Sequence, residues 1–75
     1  MANLPSFSYK QLVKKLKKAE FSLKRQAAGS HEIWFNSQTQ RSVTVPHHAG
    51  ENFKKGILSA MIKDAGFTKE AFSKL

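Results

Sequence analysis

The chain has 75 residues, no cysteine, and 13 Lys and Arg against 5 Asp and Glu, a formal net charge of +8. That length holds one domain with a small core, expected to span residues 1–75, while a hydrophobic content of 40% is too high for a disordered basic tail. The composition excludes a disulfide scaffold and a thiolate metal site, a membrane span of ~20 apolar residues and a signal peptide, so the expected location is the cytoplasm.

Residues 8 to 19 read as an amphipathic helix. Tyr9, Leu12, Val13, Leu16 and Ala19 form one apolar stripe, with Lys10, Lys14, Lys17 and Lys18 on the other side. Ser8 with Gln11 makes a capping box, and Phe7 with Leu12 stands at the positions of a hydrophobic staple. Phe21 to Ala27 alternates as a half-buried strand, and Ala28-Gly29-Ser30 supplies a turn. His31 to Asn36 is a second strand, with Ile33 and Phe35 on one face and Trp34 on the other. Ser37 to Gln40 is a second turn, and Arg41 to Val45 a third strand ended by Pro46. After a loop from His47 to Asn52 that contains Gly50, a second helix begins between Asn52 and Gly56. It carries Ile57, Leu58, Met61, Ile62 and Ala65 on one face and stops at Gly66. Thr68 caps a short last helix, with Phe67 and Phe72 again at staple positions.

The order is α-β-β-β-α plus a short C-terminal helix. It predicts a two-layer α+β domain in which both helical stripes cover one face of a three-stranded antiparallel meander. Leu23, Ile33, Phe35, Val43 and Val45 are all odd-numbered, which favours a register that turns them all toward the helices. In the second hairpin that register centres on Thr39, pairs Ile33 with Val45 and Phe35 with Val43, and brings His31 near His47. It leaves Trp34 on the open face, where it would stack on a base, cover the open sheet or, as exposed aromatics typically do, anchor a protein interface. Tyr9, Phe21, Phe35 and Met61 fall to the core.

Charge is lopsided: residues 1–31 hold seven basic groups and one acid, Glu20, against six basic and four acidic in residues 32–75. A basic surface calls for an anionic partner, either nucleic acid, an acidic protein or an anionic membrane. Phosphate-loop and metal motifs are absent, and adjacent His47 and His48 are poorly placed to share an ion, so no cofactor or metal is expected. His31 is the residue with chemistry to offer. It follows a Gly-Ser turn at a sheet rim, and imidazole takes and gives protons near neutrality. Beside an RNA phosphate it would deprotonate the 2′-OH for in-line attack or protonate the 5′-leaving oxygen, with lysines or backbone N–H groups stabilising the charge. Gly29 supplies positive φ in the turn. Ser30 caps it or binds a phosphate. Lys54 and Lys55 oppose the dipole of the second helix, yet beside free N–H groups they make a phosphate site.

Gly29-Ser30-His31-Glu32-Ile33-Trp34, then Val43-Thr44-Val45-Pro46-His47-His48 with Gly50, then Lys54-Lys55-Gly56-Ile57-Leu58 through Ile62-Lys63-Asp64-Ala65-Gly66-Phe67 together resemble the HicA (YcfA-like) toxin family. The likeness covers nearly the whole chain. It implies a fold similar to the double-stranded-RNA-binding domain and a toxin that cleaves mRNA and blocks translation. It also implies a catalytic histidine at His31 and a HicB-type antitoxin that masks the site. Lys24, Arg25, Lys54 and Lys55, with Gly29 and Ser30, are then the candidate RNA-binding residues, and His47 a candidate assistant to His31. No membrane partner is implied. Two positions depart from the family pattern: Glu20 stands where glycine usually precedes the strand aromatic, so the helix exit is expected to differ, and Ile57 stands in place of the usual Thr. The rival readings are a non-catalytic double-stranded-RNA-binding module and a protein adaptor built on Trp34.

Overall fold

The computed structural model describes residues 7–27, 29–47 and 52–75. The elements run α1 (Tyr9–Lys18), β1 (Ser22–Gln26), β2 (His31–Asn36), β3 (Arg41–Pro46), α2 (Lys55–Asp64) and α3 (Lys69–Ser73). The strands form one antiparallel sheet in the order β1-β2-β3. This is the expected α+β layout with an open three-stranded sheet. No helix among the described residues is long and apolar enough to cross a membrane.

Local chemistry sets the helix ends. Ser8 accepts from the Gln11 N–H while the Gln11 side chain accepts from the Ser8 N–H, so the capping box is complete. Thr68 caps α3 by accepting from the Ala71 N–H, and the Phe67 and Phe72 rings meet edge to face at 5.9 Å. The last turn of α2 closes with Gly66 N–H to the Lys63 carbonyl and Phe67 N–H to the Ile62 carbonyl, with Gly66 at φ 86°. A side chain there would also collide with Arg41, whose Nε lies 2.6 Å from where a Cβ would stand. The exit of α1 uses the same pair of bonds, Glu20 to Lys17 and Phe21 to Leu16, with Glu20 itself at φ 73°. Losing the glycine therefore does not change this exit; a glutamate is held in left-handed backbone instead.

Between the sheet and the helices lies a core of Phe7, Leu12, Leu16, Phe21, Trp34, Val43, Val45, Phe53, Leu58, Met61, Ile62, Ala65 and Phe72. Trp34 in this set overturns the expected register. β2 and β3 pair Glu32 with Val45, Trp34 with Val43 and Asn36 with Arg41, one residue away from the register that parity favoured. Cross-strand partners share a face, so Glu32, Trp34 and Asn36 turn toward the helices, while Ile33 and Phe35 turn to the open side. The cause is the second turn. It has four residues, closes with the Gln40 N–H on the Asn36 carbonyl, and needs Gln40 at φ 61°. Asn36 stabilises it from within, accepting from the Gln38 and Thr39 N–H groups and donating to the Ala19 carbonyl. In the first hairpin a bulge between Leu23 and Arg25 shifts the register, leaving Leu23 opposite Trp34 but half exposed at the sheet edge.

Candidate active site

Gly29, at φ 71°, makes the turn before β2. It is a position where any other residue would be strained. Two backbone bonds clamp Ser30 and His31 beyond it. The Ala27 N–H donates to the His31 carbonyl at 2.8 Å, and the His47 N–H donates to the Ser30 carbonyl at 2.8 Å. His31 is thus the first residue of β2, exposed at the sheet rim and paired with Pro46.

His47 lies beside this turn, as expected, but one residue further along than the proposed pairing. Its ring stacks on Tyr9 with centroids 4.1 Å apart, which puts it on the helix side. Strand alternation puts His31 on the opposite side, with Ile33 and Phe35. The two histidines meet through backbone, and their rings serve different faces. His48 and Gly50 lie outside the described residues.

Beneath His47 is a cluster that sequence reasoning missed. The Glu32 carboxylate is 7% exposed and takes two hydrogen bonds on one oxygen, from the Tyr9 hydroxyl at 2.6 Å and from Trp34 Nε1 at 3.1 Å. A buried carboxylate is tolerated only when so satisfied. Burial pushes the Tyr9 hydroxyl up from 10.0 to about 12, and the hydrogen bond to Glu32 and its charge add to the effect. The alternation His31, Ile33, Phe35 against Glu32, Trp34, Asn36 was the available signal. It was masked because two of the three inward residues are polar.

The basic candidates divide into two groups. Lys54 and Lys55 are exposed at the start of α2, with Lys54 as an N-cap that makes no side-chain cap bond. A bridge between Ser8 and Asn52, with the Phe53 N–H on the Phe7 carbonyl, holds the start of α2 beside the start of α1. Since Tyr9 reaches His47 and Glu32, both helices begin at the His31 end of the sheet. Neither has an acid in its first turn, and the start of α2, which has no side-chain cap, is left for an anion. Lys24 and Arg25 are on β1. Arg25 pairs with Ile33, and Lys24 Nζ stands 4.5 Å from the Phe35 ring centroid. One lysine of the first helix is structural: Lys15 Nζ donates to the Ser73 and Leu75 carbonyls at 3.0 Å each and lies 5.1 Å over the Phe7 ring.

The architecture is a small α-β-β-β-α domain with a histidine turn at the end of its sheet where both longer helices begin. The family model described as the HicA toxin of bacterial toxin-antitoxin systems matches residues 9–67. The chain belongs to that family, and it is accordingly a toxin of the toxin–antitoxin kind, with an antitoxin as partner. Comparison with curated proteins gives no match. The matched stretch runs from the start of α1 through the Gly66 stop and includes every candidate site residue.

Proposed function

We propose that this toxin is a metal-independent endoribonuclease that cuts mRNA and so stops translation, and that a HicB-type antitoxin neutralises it. The observation that carries the reading is the position of His31: exposed at the rim, on a turn clamped by two backbone hydrogen bonds, at the end of the sheet where two acid-free helix starts lie. In the reaction, His31 takes the proton of a ribose 2′-OH. The 2′ oxygen attacks the adjacent phosphorus, the bond from phosphorus to the 5′ oxygen breaks, and the proton passes to that leaving oxygen. The products are a 2′,3′-cyclic phosphate and a 5′-hydroxyl.

Lys54 and Lys55, with the N–H groups at the start of α2, bind phosphate on the helix side. Lys24 and Arg25 do so on the sheet side. Gly29 sets the shape of the loop and Ser30 offers a hydroxyl to the substrate. His47 contributes by holding the Ser30 carbonyl through its N–H. No metal enters the scheme.

The test is induced expression of the wild type against His31→Ala, scoring growth and mRNA integrity, with cleavage repeated on purified protein. Loss of cutting with folding and antitoxin binding retained is the expected result. A folded His31→Ala protein that cuts RNA at full rate would end the proposal.

A further inference from the structure

The sheet face that carries His31 has a second feature. β2 lays His31, Ile33 and Phe35 in one row on the side away from the helices. From His31 to Phe35 is roughly 13 Å along the strand. Flanking this row are Arg25, paired with Ile33, and Lys24, whose ammonium sits over the Phe35 ring. The bulge in β1 brings both cations to the row, because it inserts an extra residue opposite β2. The one acid of the three strands, Glu32, is turned to the other face and occupied by Tyr9 and Trp34. The row is therefore an aromatic and an aliphatic side chain with the two cations of β1 along one side and the hydroxyls of Ser42 and Thr44 along the other, ending at the histidine.

We propose that this open face is a track for single-stranded RNA, resting on the reading of His31 as the cutting residue. Phe35 stacks a base, Lys24 and Arg25 take neighbouring phosphates, and Ile33 lies under the strand between Phe35 and His31. An exposed ring flanked by cations is how proteins hold unpaired nucleotides, since every base has a face to stack and a duplex has none free. Lys24 has two positions in this scheme. An exposed ammonium over a ring is weakly held; an arriving base displaces it, and the charge moves to the phosphate beside that base. A protein partner would want apolar area, and the apolar residues of this face, Ile33, Phe35 and Pro46, are each half-buried and stand among cations and hydroxyls. The track also gives the enzyme its substrate class: unpaired stretches, held about two side-chain steps from the cut.

Binding is measured in a His31→Ala background, so that RNA is never cut, by fluorescence anisotropy with labelled oligouridine and with a blunt RNA duplex. Circular dichroism confirms the fold of each variant. The background protein is expected to prefer oligouridine. Adding Phe35→Ala should weaken oligouridine binding roughly tenfold, the loss of one stacked base, while Phe35→Trp retains it. Lys24→Gln with Arg25→Gln should lower the slope of log affinity against log salt by about 1.4, the value for two phosphate contacts on a single strand. The track is overturned if Phe35→Ala binds oligouridine as tightly as its background, or if the salt slope is unchanged. Loss of antitoxin binding by Phe35→Ala with RNA binding intact would also overturn it, and would make the face a protein-docking surface. A background protein with no RNA affinity at all brings down the ribonuclease reading itself, so the two failures are told apart.

Discussion

The two faces of this sheet owe their contrast to a single residue of register. On the helix side, Glu32, Trp34 and Asn36 of β2 are all buried, and each polar group there has its partner within the fold. On the open side, His31 is exposed, and Ile33 and Phe35 are only half covered. One strand thus serves stability with its even positions and offers chemistry with its odd ones. The lesson is that a polar residue in a strand does not mark the solvent face. Glu32 faces the core because Tyr9 and Trp34 satisfy it there, and Asn36 because the turn and the Ala19 carbonyl do.

The contrast can be broken most directly by truncating one aromatic on each face. Trp34→Ala should cost about 3–5 kcal/mol, as for a buried tryptophan, and it also removes one of the two donors to Glu32. Phe35→Ala should cost about 1 kcal/mol or less. Urea unfolding of the two variants measures the gap, and equal losses would contradict the register.

A smaller effect comes from the two helix exits, which share one hydrogen-bond pattern but hold Glu20 in one case and Gly66 in the other. Glu20→Gly relieves left-handed strain at no cost in packing, since Glu20 is exposed. A gain of about 1 kcal/mol is expected, read as a higher urea midpoint at unchanged m-value.

The last effect is the pH response of the helix-side cluster. Tyr9 titrates at about 12 in the folded state against 10.0 for the free side chain. The folded protein therefore holds this proton more tightly than the unfolded chain does. The stabilisation is complete below pH 10 and declines as pH rises from 10 toward 12. The quantity to measure is the difference between wild type and Tyr9→Phe. That difference should shrink as pH climbs, and a constant difference would remove Tyr9 as its source.

The charge of +8 also divides by region. Lys15 is a structural tie to the C-terminal carbonyls, and Lys15, Lys17 and Lys18 sit in the last turn of α1, where they favour the helix dipole. The remaining candidates, Lys24, Arg25, Lys54 and Lys55, lie on both sides of the histidine end. The site is thus a smaller share of the basic excess than composition implies.

Local signals in the sequence determined the elements, their caps and the histidine turn. The capping box at Ser8, the glycine stop at Gly66, the Thr68 cap and the positive φ of Gly29 each depend on residues within a few positions of one another. Such interactions can be read along the chain. Which face each strand residue takes was settled only by long-range packing. A four-residue turn ending in Gln40 with positive φ, and a bulge before Arg25, set the pairing, and neither has a local signature. Period-two alternation is blind to a shift of one, and the partner that satisfies Glu32 on the inner face, Tyr9 on α1, lies far along the chain.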